Sequence, residues 1–225
     1  MNVRLLMLAG AAVACAAPAW ADGPRYVSGG IGGYFREDDS AATHFFHSGD
    51  PTFKVPGTVQ RSYDPGVTGN LAVGYTVIPQ IRVEAEIGYT DYTESTINPL
   101  AHNPHFPRLD GSTFIRQRGD EFGRFTGTVN VFYDFVQIGG FTPYLGVGIG
   151  ASADHQSSGF LTGPTGSGFN ESGGTSTQGL ALLEAGVAYP LTENLSITAS
   201  YRYLHFFEDA GDVTHIIKMG IRYAF

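Results

Sequence analysis

The sequence predicts an all-β fold: an eight-stranded antiparallel transmembrane up-and-down β-barrel with long extracellular loops. Three observations predict it. Eight runs of about ten residues alternate apolar and polar side chains, and ~9–11 residues let a tilted strand cross a bilayer. The connectors between the runs are alternately long and short. The outward aromatics gather at two heights, as side chains at two membrane–water interfaces would.

Composition agrees. Among 225 residues, Gly 31, Tyr 12 and Phe 16 with only 15% charged residues suit twisted strands and tight turns better than helices. A net charge of −8 opposes general nucleic-acid binding, which needs a basic face. The N-terminus carries a secretory signal pattern: Arg4, the apolar "LLMLAGAAVACAA", then the small-x-small "AWA" ending at Ala21. Cleavage there removes residues 1–21 and leaves a single domain, 22–225. Cys15 and Trp20 leave with the signal, so the mature chain has no thiol chemistry. No later stretch approaches the ~18 apolar residues of a membrane-spanning helix.

The runs follow in order: 26–35, 67–77, 81–89, 124–135, 142–152, 179–189, 195–204 and 214–225. In "VTGNLAVGYTV", Val67, Leu71, Val73, Tyr75 and Val77 share one face, while Thr68, Asn70, Ala72, Gly74 and Thr76 share the other. In "IRVEAEIGY", Ile81, Val83, Ala85, Ile87 and Tyr89 oppose Arg82, Glu84, Glu86 and Gly88. Short connectors ("IPQ", "VQIGG", "PLTEN") follow the second, fourth and sixth runs and are expected to be periplasmic turns. Connectors of roughly 25–35 residues follow the first, third and fifth, and "HFFEDAGD" follows the seventh. The last run must close against the first, because an unpaired strand edge is intolerable in lipid.

With odd runs rising, Tyr75, Tyr133, Tyr189, Tyr223 and Phe225 fall at the periplasmic interface. Phe35, Tyr89, Phe125, Tyr201 and Tyr203 fall at the outer one. The opposite parity sends Arg82, Glu84, Glu86, Arg124, Asp134, Glu184, Arg202, Lys218 and Arg222 inward. An eight-stranded interior is just wide enough for side chains to fill, and buried charges there must pair. The near balance of signs therefore predicts a salt-bridged plug ahead of a pore, and catalysis far behind. Inward Gly30, Gly32, Gly146, Gly148 and Gly150 leave space for large neighbours or water.

The segments "IRVEAEIGY", "NVFYDF", "TPYLGVGIGAS", "YRYL" and the closing "MGIRYAF" together resemble the small outer-membrane β-barrel family of porin-like surface antigens and OmpA-type barrels. The resemblance spans the mature chain outside the long loops. It implies residence in the bacterial outer membrane, with lipid and lipopolysaccharide as surroundings. The terminal Tyr-x-Phe resembles the signal read by the barrel-assembly machinery. OmpA-type relatives often add a C-terminal peptidoglycan-binding domain; this sequence ends at its last strand, so wall anchoring is not expected.

Such relatives share a fold and not one activity. The expected function is a non-enzymatic structural, surface-antigen or adhesin-like role through the extracellular loops, with an extracellular ligand or host surface as partner. The alternative is a narrow porin-like channel for small solutes or ions. The third is an outer-membrane hydrolase at the loops, near His205, Glu208, Asp209, Asp212 and His215. No Ser or Thr adjoins His205, and loop histidines (His44, His47, His102, His105, His155) lack rigid ligand spacing, so no catalytic, metal or cofactor site is expected. Loop aromatics (Phe45, Phe46, Phe53, Phe106, Phe114, Phe160, Phe169, Phe206, Phe207) divide evenly between binding surface and rim packing.

Overall fold

The computed structural model describes residues 25–47, 50–101, 114–116, 122–156, 159–162, 168–171, 174–207 and 213–225. The signal segment 1–21 and the acidic run 208–212 lie outside them. Among the described residues twelve strands are present: β1 Arg25–Arg36, β2 Asp39–His47, β3 Asp50–Ile78, β4 Ile81–Ala101, β5 Phe114–Arg116, β6 Phe122–Asp134, β7 Thr142–Gln156, β8 Gly159–Thr162, β9 Gly168–Glu171, β10 Gly174–Pro190, β11 Leu195–Phe206 and β12 Val213–Ala224.

Eight of these make the barrel. Their order is β3-β1-β12-β11-β10-β7-β6-β4, and β3 pairs with β4 to close the ring. Every pairing is antiparallel. The seam between the first and last strands runs from Tyr26↔Ala224 to Arg36↔Thr214. Phe225 N donates to Arg25 O at 2.8 Å, so the ladder continues to the last residue. Closure removes the edges of the barrel, which lipid would not tolerate.

The outward rows are apolar and exposed through mid-strand (Ile31, Leu71, Ile87, Val129, Ile149, Ile217, Met219), while the even-numbered positions between them point inward. Two apolar clusters bracket the interior. Tyr34, Tyr92, Leu180, Leu182, Leu204, Phe206 and Ile216 pack toward the long-loop end. Phe132, Tyr144 and Ala188 pack toward the short-turn end.

The strands outrun their sequence bounds. Read as 67–77, the second barrel strand begins at Asp50; read as 81–89, the third extends to Ala101. Beyond the belt the ladder continues from Asp64↔Thr93 to Gly57↔Ala101. Pairing persists there in a stretch whose sequence lacks the alternation that marks a half-buried strand. A register shift between Asp64 and Val67 spans Pro65, which has no N–H to donate. Gly66 fits that bulge because a Cβ would lie 2.3 Å from Asp91 O.

The inward glycines make room for their neighbours. At Gly146 a Cβ would fall 2.2 Å from Phe132 Cδ1, and at Gly148 2.0 Å from Asn130 Oδ1. Gly146→Ala is expected to cost about 1–3 kcal/mol through overpacking. Urea unfolding in lipid vesicles measures it; an unchanged midpoint would show that Phe132 moves aside freely.

Candidate functional site

All nine charged residues assigned inward lie on the inner face. Arg82, Glu84, Glu86, Arg124, Glu184 and Arg202 are buried; Asp134, Lys218 and Arg222 are half-buried. They form three tiers along the barrel axis.

The central tier joins five strands. Glu184 and Arg202 are direct cross-strand partners on β10 and β11. Arg202 Nε donates to Glu184 Oε2 at 2.8 Å, and its Nη1 and Nη2 donate to the two oxygens of Glu86 on β4. Lys218 Nζ, from β12, lies 3.5 Å from Glu86 and 3.3 Å from Glu184. Asn70 Nδ2 adds a bond to Glu86 Oε2 at 3.0 Å. Two carboxylates thus face two cations, and the planar guanidinium satisfies Glu86 with two parallel bonds.

At the short-turn end, Arg82 Nε donates to both oxygens of Asp134 at 3.0 Å and Nη1 donates to Tyr26 OH at 3.1 Å. Its guanidinium lies 4.1 Å from the Phe132 ring centroid and 4.9 Å from that of Tyr144. Glu84 accepts from Ser28 Oγ at 3.2 Å and stands 3.9 Å from Arg82 Nη1. Arg222 stacks toward Tyr26 at 5.2 Å. Aromatic faces here supplement the carboxylates.

The loop-end tier centres on Arg124. It forms a two-bonded pair with its cross-strand partner Asp154, donates to Tyr34 OH at 2.9 Å, and covers Phe206 at 4.0 Å. Gln178 Nε2 donates to Asp154 Oδ2 at 3.0 Å, and Thr214 Oγ1 to Tyr34 OH at 3.2 Å. Strands β1, β6, β7, β10, β11 and β12 therefore converge on one guanidinium.

Two small cavities, about 20 and 30 Å³, separate the tiers. Each has room for one or two waters at ~10–15 Å³ apiece. Asn70 and Lys218 line both.

Sequence reading missed several of these residues. Asp154 lies one inward step past the predicted strand end at 152, and extending the parity would have found it. Tyr26, Tyr34, Tyr92, Tyr144 and Phe132 also sit on inward positions, where their rings sandwich the arginines. Phe206, placed among the loop aromatics, is instead fully buried beneath Arg124, whereas Phe207 is exposed. The side chains of Phe45, Phe46, Phe53, Phe106, Phe114, Phe160 and Phe169 lie outside the described ones, as do those of His44, His47, His102 and His105.

The ten aromatics expected at the interfaces take the outward row: Phe35, Tyr89, Phe125, Tyr133, Tyr189, Tyr201, Tyr223 and Phe225 are exposed, Tyr75 and Tyr203 half-buried. Tyr89 and Phe125 face one another in the ladder with centroids 4.7 Å apart. His205 meets Phe207 edge-on. His215 Nδ1 shares a hydrogen bond with Tyr201 OH, and its Nε2 lies 3.0 Å from Glu37 Oε1. Glu208, Asp209 and Asp212 lie outside the described residues.

Three comparisons place this architecture. The outer membrane protein beta-barrel domain family matches residues 5–225. An uncharacterized protein of Brucella suis is 26% identical over 200 residues, covering 80% of this chain; the chain spans only 66% of that relative's length. Outer membrane protein PagN of Salmonella typhimurium is 37% identical over 81 residues, 36% of this chain and 33% of PagN. Among solved structures, Neisserial surface protein A superposes with a TM-score of 0.52 at 16% identity, covering 89% of this chain and 97% of its own.

Proposed function

The chain belongs to the outer membrane protein beta-barrel domain family and resides in the bacterial outer membrane, and from that premise we propose that it is a non-enzymatic surface protein acting through its extracellular end. One observation carries the reading. The lumen is occupied by paired charges, whereas β2, β5, β8, β9 and the upper parts of β3 and β4 raise a sheet beyond the outer end of the barrel. A filled interior leaves the projecting strands as the surface that meets a ligand or host, in an adhesin-like role.

The rest of the assignment follows the same premise. Residues 1–21 direct export and are removed, leaving 22–225 as the barrel. The ten outward aromatics set the two interfaces, next to phospholipid on one side and lipopolysaccharide on the other. The terminal strand through Tyr223 and Phe225 engages the barrel-assembly machinery. A narrow channel is the second reading, favoured by the two cavities that share Asn70 and Lys218.

The test removes β2, β8, β9 and most of the upper part of β3 without touching the barrel. Ser40 and Gln60 are ladder partners, so residues 41–59 can be replaced by an Asn-Gly turn. Gln156 and Gly174 are partners too, so 157–173 can be replaced likewise. A non-adherent laboratory bacterium displaying the full chain should bind an epithelial monolayer, and one or both shortened chains should not. Equal binding by all three chains at equal surface expression would overturn the reading.

A further inference from the structure

The connection between β6 and β7, residues 135–141, is an apolar finger at the periplasmic end. Val136 is 83% exposed and Ile138 71%. They are as open as Ile31 at 72% and Met219 at 68%, which stand in mid-strand on the lipid-facing rows. Phe135 and Phe141 are exposed as well, and no residue from Phe135 to Pro143 is charged. In water this much apolar surface is unfavourable by ~25 cal/mol per Å².

The finger has a fixed shape. Ile138 and Phe141 exchange backbone hydrogen bonds at 2.8 and 3.0 Å, and Gln137 Nε2 donates to Gly140 O at 3.0 Å. Gly139 and Gly140 hold φ of 61° and 88°, a region other residues resist. It also leans outward. The Phe141 ring lies 5.0 Å from Tyr189, and Phe135 lies 5.0 Å from Tyr133; both tyrosines belong to outward rows. A Cβ on Gly140 would touch the Tyr189 ring at 3.3 Å. The turn is thus continuous with the lipid-facing surface and lies against its edge.

We propose that residues 135–141 form a phospholipid anchor, entering the headgroup–acyl boundary of the periplasmic leaflet and fixing the depth of the barrel there. Continuity with the lipid-facing rows selects lipid over a periplasmic protein as the occupant. The lack of charge makes recognition a matter of apolar burial, with no call on anionic headgroups.

Trp20, the one tryptophan of the chain, leaves with residues 1–21, so Val136→Trp or Ile138→Trp in residues 22–225 puts a single fluorophore on the finger. Both positions are so exposed that the substitution disturbs no packing. The proteins are folded into phosphatidylcholine nanodiscs, with or without bromine on the acyl chains near the headgroup. Bromine is expected to quench emission at least ~2-fold while aqueous acrylamide quenches little, as for a side chain ~5–10 Å into the interface. Exchanging part of the lipid for phosphatidylglycerol should change neither value. Emission indifferent to bromine but freely quenched by acrylamide, in protein whose gel mobility still shifts on boiling, would overturn the proposal and leave the finger in water for a protein partner.

Discussion

Arg202→Met is expected to lower the unfolding free energy by about 3–5 kcal/mol, because it strands two buried carboxylates. Glu86 loses both of its guanidinium bonds and Glu184 loses its cross-strand partner; Lys218 is left at 3.5 and 3.3 Å to answer two charges. Replacing the whole tier should be far milder. With Glu86→Gln, Glu184→Gln, Arg202→Met and Lys218→Met together, no buried charge lacks a partner, and such replacements are often neutral. Urea titration of both proteins in lipid vesicles makes the comparison. A single variant as stable as the parent would show that Glu86 and Glu184 gain water or a proton without cost, and the central tier would not be a plug.

Arg124→Met should act differently. Its loss removes two bonds to Asp154, one to Tyr34 and the contact over Phe206, but Asp154 keeps Gln178 and a side chain 16% exposed. The cost is expected to be smaller, about 2–3 kcal/mol. Its distinctive effect is local. Arg124 ties β1, β6 and β7 together where the projecting strands begin, so external protease should cut the loops faster while the belt stays intact. Loop cleavage at the parent rate would mean that the outer apolar cluster holds the loop end without Arg124.

The belt was legible because lipid outside and packed charge inside impose opposite demands on alternate residues. That contrast writes a period of two into Val67–Val77, Ile81–Tyr89 and the closing Met219–Phe225, and the same parity assigns nine charged residues inward. Where the contrast ends, so does the signal. Above the belt β3 and β4 keep their ladder through Gly57↔Ala101, but the sequence there shows no sustained alternation and looks like loop. Asp154 was lost to a boundary set one inward step early. Phe206 was misassigned for a related reason: a ring beside "EDAG" looks exposed until the barrel is closed and Arg124 covers it. Pairing partners such as Arg124 with Tyr34, ninety positions apart, depend on register around the ring, which no local pattern encodes.

A lumen filled by its own ion pairs moves the proposed function to the outer end. Single-channel recording on the folded full chain in a planar bilayer tests this most directly. The expected record is silent for the parent, with steps appearing only when the central tier is truncated, as in Arg202→Ala with Lys218→Ala. Reproducible conductance steps from the unmodified protein, verified as folded by its mobility shift on boiling, would contradict it and make the channel the leading function.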